Sequence, residues 1–251
     1  MLGTWINIIA GAGALLWAEA GREAIGPAGN SGPASSRHWG RWRWAAAGLC
    51  TFIGLSGIGQ CLPQQIPGIL RILGIAAVGL VLGNLTGRIL GLQRRLDGWG
   101  RSLSKHLPGP AGAAFGTAGA LSAGALLALN PLLIPSAIQD GLAQRWFGLA
   151  LKAALDATVL HAWGRSLPPR AWSLSLLLLA TPLIWQAGWT LGATALAGWL
   201  HSHGLAQPLM MASSLLILCS APSIAGLRRA TLADLLPSLV WIPFLESSLR
   251  S

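Results

Sequence analysis

Long apolar runs separated by short polar segments make up most of this chain. They predict helices over residues 2–18, 45–62, 69–89, 111–134, 146–163, 172–200, 205–225 and 232–245. Most of these runs approach the about 20 residues that a membrane-spanning helix needs, and the last one is short enough to be re-entrant instead. The pattern therefore predicts an all-α, polytopic transmembrane helical bundle of about eight spans, or seven, in one membrane domain over residues 1–251.

Composition supports a membrane protein and argues against a soluble domain. Of the 251 residues, 53% are hydrophobic and 10% are charged, whereas soluble domains carry about 25% charged residues. The 33 glycines suit closely packed membrane helices, and many of the 13 tryptophans lie near predicted helix ends, as in an interfacial belt.

The basic residues predict an orientation rather than a nucleic-acid partner. The net charge is +10, but most lysines and arginines fall in alternate connections between the apolar runs. They are Arg22, Arg37, Arg41 and Arg43; Arg88, Arg94, Arg95, Arg101 and Lys105; Arg165 and Arg170; and Arg228 and Arg229. The positive-inside rule makes this side cytoplasmic, which predicts an inner-membrane protein with both termini outside and a cytoplasmic loop over residues 19–44. The first apolar run has no charged residues before it, so it is predicted to be a span and not a cleaved signal.

One of these connections, residues 90–106, has an amphipathic pattern. It alternates Leu90, Leu92, Leu96, Trp99 and Leu103 with Arg94, Arg95, Arg101 and Lys105. This spacing predicts a cytoplasmic helix that lies on the inner leaflet. Such a helix serves as an anchor, or else it binds a partner or a regulator.

Ionisable residues inside an apolar helix are costly, and the fifth predicted helix contains two of them. Lys152 and Asp156 are four residues apart and therefore lie on one helix face. Pairing lowers the cost of burying both charges. Two interpretations stay open: a titrating pair in a proton- or cation-coupled carrier, and a static ion pair that holds the helix in the bundle.

A second candidate region is the string Asn-Pro-Leu-Leu-Ile-Pro-Ser-Ala-Ile-Gln-Asp-Gly at residues 130–141. Two prolines disfavour a continuous helix, and broken membrane helices build substrate sites in many carriers. Asn130, Gln139 and Asp140 would then line a site. The alternative is an ordinary outer loop with Asp140 in water.

Isolated amides extend the list of candidate site residues. Asn7, Asn84 and Gln186 are bulky polar groups within apolar runs, and they need hydrogen-bond partners there. The stripe Gly79, Gly83 and Gly87 predicts close packing of the third helix against a neighbour, which makes a homodimer one option. No catalytic motif, metal-ligand spacing or cofactor fingerprint is present, so an enzyme is not predicted.

The order of several motifs resembles an uncharacterised bacterial inner-membrane family, the YqgA/YdfK-like proteins. The similar strings are Gly3-Thr4-Trp5-Ile6-Asn7, the glycine-rich third helix followed by Arg94-Arg95-Leu96, Ser136-Ala137-Ile138-Gln139-Asp140-Gly141, Lys152 with Asp156, and Leu235-Leu236-Pro237. The resemblance implies a polytopic fold and, loosely, an ion channel or pump. The chain departs from that pattern at Asn84 and near Pro208, where the family tends to carry acids, so part of a cation site would be lost.

These observations predict a transporter of a small solute or ion, coupled to protons or sodium, in contact with the lipid bilayer. The site would combine the broken helix at 130–141 with the Lys152/Asp156 face. The similar strings Asn130-Pro131-Leu132 and Gln207-Pro208-Leu209 also predict a weak inverted repeat. A narrow ion channel and a non-transporting scaffold are the competing hypotheses.

Overall fold

The computed structural model describes residues 2–25, 34–107, 117–130, 132–164, 167, 172–227 and 231–249, with residues 21–25 and 34–41 described by their backbone only. The regular structure in these residues is helical, which confirms the all-α prediction. The helices are α1 (Leu2–Ile25), α2 (Ala34–Cys61), α3 (Ile66–Leu90), α4 (Leu92–Ser104), α5 (Thr117–Ala128), α6 (Leu133–Ala143), α7 (Phe147–Gly164), α8 (Trp172–Ser202), α9 (Ala206–Ala225), α10 (Leu232–Leu235) and α11 (Ser238–Ser248).

Helices that are distant in sequence pack as pairs. Helix α1 packs along α7, and α2 packs along α9. The pair α5 and α6 lies against α8, and the pair α10 and α11 lies against α3. Helix α9 also contacts α6 and α11, and α7 contacts α6 and α2. This arrangement surrounds α6 and α7 with other helices, so their polar side chains have little access to solvent.

Four helical segments are long and apolar enough to cross a membrane: Trp42–Cys61 within α2, and the whole of α3, α8 and α9. Helices α5 and α6 are inclined to each other at 64° and would count together as a fifth. The predicted count of eight is therefore not confirmed. Helix α7 carries Lys152, Asp156 and His161, which lower its mean hydropathy, and α11 has only 11 residues.

The first connection is shorter than the sequence pattern predicts. Helix α1 continues to Ile25 and α2 begins at Ala34, because Ala, Glu and Arg in these flanks are good helix formers. Residues 26–33 lie outside the described residues, as do residues 111–116 of the predicted fourth helix. The side chains of Arg22, Arg37, Arg41, Arg165, Arg170, Arg228 and Arg229 also lie outside them.

Two predicted helices are each broken into two. The segment predicted as 111–134 separates into α5 and α6, with α6 extending to Ala143. The segment predicted as 232–245 separates into α10 and α11 at Leu236 and Pro237. Proline lacks the N–H that would continue the helical hydrogen bonds, so a break at Pro237 follows from the sequence.

The glycine stripe of α3 packs closely, as predicted, but within the same chain. A Cβ atom built on Gly79 would collide with Ile242, one on Gly83 with Ser238, and one on Gly87 with the backbone of Asp234. The stripe is therefore covered by α10 and α11. Because the stripe is already covered, it gives no support to a homodimer. The homodimer stays a prediction.

Helix α4 covers most of residues 90–106, and no residue of it is buried. Its predicted place on the inner leaflet stays a prediction. Helix α4 leaves α3 at Gly91, whose φ of 62° is readily adopted only by glycine. Its start is fixed by Asp234, whose Oδ1 accepts the Gln93 N–H at 2.9 Å. Gln93 Oε1 in turn accepts the Ala233 N–H at 3.2 Å. These contacts connect α4 to the broken helix α10–α11.

Substituting Asp234 by alanine should loosen α4. The substitution removes a carboxylate that caps the first turn of a helix, which costs about 0.5–2 kcal/mol. Trypsin should then cleave after Arg94 and Arg95 faster than in the wild type. Asp97→Ala is the matched control, because Asp97 accepts a hydrogen bond from the side-chain amide of Gln93 and not from its backbone N–H. Equal cleavage rates in Asp234→Ala and the wild type would show that this cap does not hold α4.

Candidate functional site

The break between α5 and α6 is organised by Asn130. Its Oδ1 accepts the Leu132 N–H at 3.1 Å, a turn that asparagine side chains commonly form. Its backbone carbonyl accepts the Leu133 N–H at 3.0 Å. The same side chain lies beside the carboxylate of Asp156 on α7. Asn130 thus connects the broken backbone to a buried acid.

Lys152 and Asp156 form an ion pair on one face of α7, as their spacing predicts. The Lys152 Nζ donates to Asp156 Oδ2. Lys152 is 0% exposed and Asp156 is 3% exposed. Neither charge is hydrated by bulk solvent, so each depends on the other.

Asn7 of α1 and Gln186 of α8 also meet in the core. The Asn7 Nδ2 donates to Gln186 Oε1, and both residues are buried. This bond supplies the partner that each amide requires in an apolar environment.

Helix α6 is a buried helix, not an outer loop. Asp140 is 1% exposed, which rules out the alternative that places it in water. The Gly3 N–H approaches its Oδ1 at 3.5 Å. Gln139 is also buried, and its Nε2 donates to Ser214 Oγ on α9 at 3.0 Å.

The relative directions of α1, α7 and α8 show which of these buried contacts lie at the same depth in the bundle. Helix α1 runs parallel to α7, because Gly3 abuts Leu149 and Gly164 abuts Ala18. It runs antiparallel to α8, because Asn7 pairs with Gln186 and Gly11 abuts Leu179. Lys152 therefore lies at about the level of Asn7 and Gln186.

Ser136 is the next buried polar residue on the way from Lys152 to Asp140. A Cβ on Gly148 would come within 2.6 Å of Ser136 Oγ, so Ser136 faces α7 one turn from Lys152. Asp140 lies one further turn along α6. We call the set that results the polar column; it comprises Thr4, Asn7, Asn130, Ser136, Asp140, Lys152, Asp156, Gln186 and Thr190.

Several polar atoms of the column lack a protein partner among the described residues. They are Thr4 Oγ1, Ser136 Oγ, Gln186 Nε2 and Thr190 Oγ1. Buried polar groups are almost always hydrogen-bonded to protein, to ordered water or to a ligand. Four such atoms lie between α1, α6 and α8.

Two of the predicted site residues lie outside the column. Asn84 is partly exposed on α3, which packs against α4, α9, α10 and α11 rather than α7. Gln139 faces α9 and lines a lateral groove of about 690 Å³ together with Ser56, Gln60 and Phe147. The other six predicted residues belong to the column.

Sequence reasoning did not select Thr4, Ser136 or Thr190 as site residues. Each lies three or four positions from a selected residue, namely Asn7, Asp140 and Gln186. Residues at this spacing share a helix face. A search for hydroxyl residues on the same helix face as a predicted amide or acid would have identified them.

The column can hold one ion pair, accept hydrogen bonds and donate them, all without bulk water. Among the described residues, no group of three His, Cys, Asp or Glu side chains is placed to hold a metal ion.

Comparison with known proteins gives a family and no activity. No curated protein and no solved structure matches the chain. The family described as "Protein of unknown function (DUF554)" matches residues 42–247, from α2 to α11. That range includes Asn130, Asp140, Lys152, Asp156 and Gln186, whereas Thr4 and Asn7 precede it. Because the match covers most of the sequence, the chain belongs to the DUF554 family of proteins of unknown function.

Proposed function

We propose that this protein is an integral membrane carrier of a small solute or ion, coupled to protons or sodium. The observation that carries the proposal is the contact between the broken helix and the ion pair: Asn130 lies beside Asp156, which pairs with Lys152. Broken helices beside buried ionisable residues are a recurring design of transport sites.

The membrane setting is supported by the outer surface of the bundle. Large apolar side chains point outward from α1, α2, α3 and α8, including Ile9, Phe52, Val81 and Ile184. Contiguous apolar surface of this kind requires lipid or a partner to cover it. The basic residues on α4 favour the cytoplasmic face of an inner membrane for that end.

In the proposed mechanism Asp156 exchanges partners. In the closed state it is neutralised by Lys152 and held by Asn130. A cation or proton that reaches Asp156 would compete with Lys152 for the carboxylate. Lys152 would then be available to an anionic group or to another acceptor in the column. Movement of α6 relative to α5 about Asn130 would open the site, since the backbone is already broken there.

The two broken helices support an inverted-repeat architecture. Helices α6 and α11 each have 11 residues, contain an interior proline and follow a break. Helix α6 packs on the long helix α8, and α11 packs on the long helix α3. Carriers commonly use such paired repeats around a central site.

A narrow channel is the second candidate, because buried polar side chains recur between Asp140 on α6 and Asp156 on α7. Complete burial of Lys152 favours a carrier with an occluded site over a conducting path. Single-channel currents in planar bilayers would identify a channel, and their absence alongside solute uptake would identify a carrier.

A ligand screen on purified protein tests the proposal. Amino acids, organic acids, sugars and cations are compared for thermal stabilisation of the wild type, Asp156→Asn and the control Asp97→Asn, which changes an exposed acid on α4. A ligand at 100 times its Kd should stabilise the wild type and the control by about 2.7 kcal/mol. It should not stabilise a folded Asp156→Asn. If no compound stabilises the wild type, or if Asp156→Asn responds equally, the proposal is wrong.

A further inference from the structure

The lateral groove beside Gln139 is an opening that the proposed carrier site does not use. It lies between α2 and α7 and has a volume of about 690 Å³. Small-molecule sites usually have volumes of about 300–1,000 Å³, so the groove is large enough for a ligand. Most of its lining is apolar, and its few polar side chains are those of Ser56, Gln60, Gln139 and Arg145.

One face of α2 and one face of α7 form the two walls of the groove. The α2 wall includes Leu49, Phe52, Ser56 and Gln60, and the α7 wall includes Phe147, Ala150 and Ala154. Residues three or four apart share a helix face, so both walls are continuous stripes. The α2 wall runs from residue 49 to residue 60, which at a rise of about 1.5 Å per residue makes the groove about 16 Å long.

The polar side chains lie together at one end of the groove. Arg145 interacts electrostatically with Cys61, the last residue of α2, so it lies at the same end as Gln60. Leu151, further along α7, belongs to the buried cluster that contains Cys50, which is eleven residues before Cys61. The groove is therefore polar at the end formed by the last turns of α2 and apolar along the rest of its length.

Arg145 carries a positive charge that the groove does not neutralise. Its Nη1 atom is buried and has no hydrogen-bond partner in the described part of the chain. A guanidinium cannot lose its proton in a protein, and buried charges are normally paired. No Asp or Glu is among the described residues that line the groove. An anionic group on an occupant of the groove would supply the missing partner.

The surroundings of the groove show from where such an occupant comes. Phe52 is 69% exposed and Leu49 is 52% exposed, so the apolar end opens sideways onto the apolar outer surface of the bundle. Trp146, next to Arg145, stacks on Phe147 with ring centroids 4.3 Å apart. Tryptophan is enriched at the level of the lipid headgroups. The polar end thus suits a headgroup, and the apolar end suits an acyl chain.

We propose that the lateral groove binds an anionic phospholipid, with the phosphate at Arg145 and one acyl chain between α2 and α7. Arginine is well suited to phosphate because its planar fork donates two parallel hydrogen bonds. The proposal rests on the membrane setting of the bundle and not on transport. Lys152 is two residues from both Ala150 and Ala154, so it faces away from the groove. The lipid site is therefore separate from the Lys152/Asp156 pair.

The test is a lipid titration of the purified protein in detergent. Dioleoyl phosphatidylglycerol, dioleoyl phosphatidylcholine and oleate are added separately, and the unfolding temperature is recorded. Phosphatidylglycerol should raise it with a saturable dependence, and the other two should not. Arg145→Gln removes the charge, and Ala154→Trp fills the apolar end. Each variant should raise the half-saturating concentration of phosphatidylglycerol at least tenfold.

Arg71→Gln is the matched control, because Arg71 is an arginine of α3 that already has Glu246 as a partner, at 3.7 Å. It should titrate with phosphatidylglycerol like the wild type. An equal response to phosphatidylcholine would show that the phosphate charge is not recognised, and an equal response to oleate would identify a fatty-acid site instead. Either result, or a wild-type response in Arg145→Gln or in Ala154→Trp, disproves the phospholipid site. The solute screen is read at a fixed lipid composition, so it decides the transport function independently.

Discussion

Lys152→Met is expected to destabilise the protein by about 3–5 kcal/mol, the cost of leaving one partner of a buried ion pair without the other. Met is close to Lys in length and fills the same space, so the change is electrostatic and not a cavity. In this variant the Asp156 carboxylate still lies beside Asn130 but has lost the Lys152 charge. Unfolding by sodium dodecyl sulfate in mixed micelles would measure the loss.

The double variant Lys152→Met/Asp156→Asn should recover most of that stability. It contains no buried charge at the pair, and the new amide keeps the size of the carboxylate beside Asn130. Replacing a whole buried ion pair by neutral groups is often neutral or stabilising. The double-mutant cycle should therefore give a coupling energy of about 2 kcal/mol or more, within the range seen for contacting residues.

The same double variant separates the functional hypotheses. A scaffold uses the pair only to hold α7, so a refolded, stable double variant would keep its role. A carrier uses the charges themselves, so the stable double variant would no longer bind the solute found in the screen. A cost below 1 kcal/mol for Lys152→Met would contradict the buried pair and would indicate that water reaches it.

The sequence predicted those features that depend on spacing along one helix. The pairing of Lys152 with Asp156 and the close packing at Gly79, Gly83 and Gly87 follow from helical periodicity alone. The break near Asn130 follows from the prolines beside it. In each case the physical cause is local, so a single sequence is sufficient.

Features that depend on which helices become neighbours were predicted poorly. Asn84 was grouped with Asn7 and Gln186 because all three are amides in apolar runs. The structure separates them, since α3 packs on α11 while α1 packs on α7. The glycine stripe was linked to a dimer for the same reason: spacing identifies a close-packing face but not the partner that covers it.

Gly83→Ala and Gly74→Ala, both on α3, are expected to change stability in opposite directions. A Cβ on Gly83 would lie 2.7 Å from the Ser238 Cβ and 2.8 Å from its Cα, so the backbone of α11 would have to move. Overpacking of this kind costs about 1–3 kcal/mol. A Cβ on Gly74 meets nothing within 4 Å. Alanine there should stabilise the helix by about 0.5–1 kcal/mol, because it restricts the unfolded backbone more than glycine does.

The comparison isolates the contact between α3 and α11 from helix propensity, since both substitutions are chemically identical and lie on one helix. The expected readout is a lower unfolding temperature for Gly83→Ala and an unchanged or higher one for Gly74→Ala. Gly83→Ala should also weaken the bond between Trp241 Nε1 and Thr86 Oγ1, which is 2.9 Å long and joins the same two helices. If Gly83→Ala is as stable as Gly74→Ala, α11 does not pack on the stripe. The glycines could then pack against a second copy of the chain, and this result would support a homodimer.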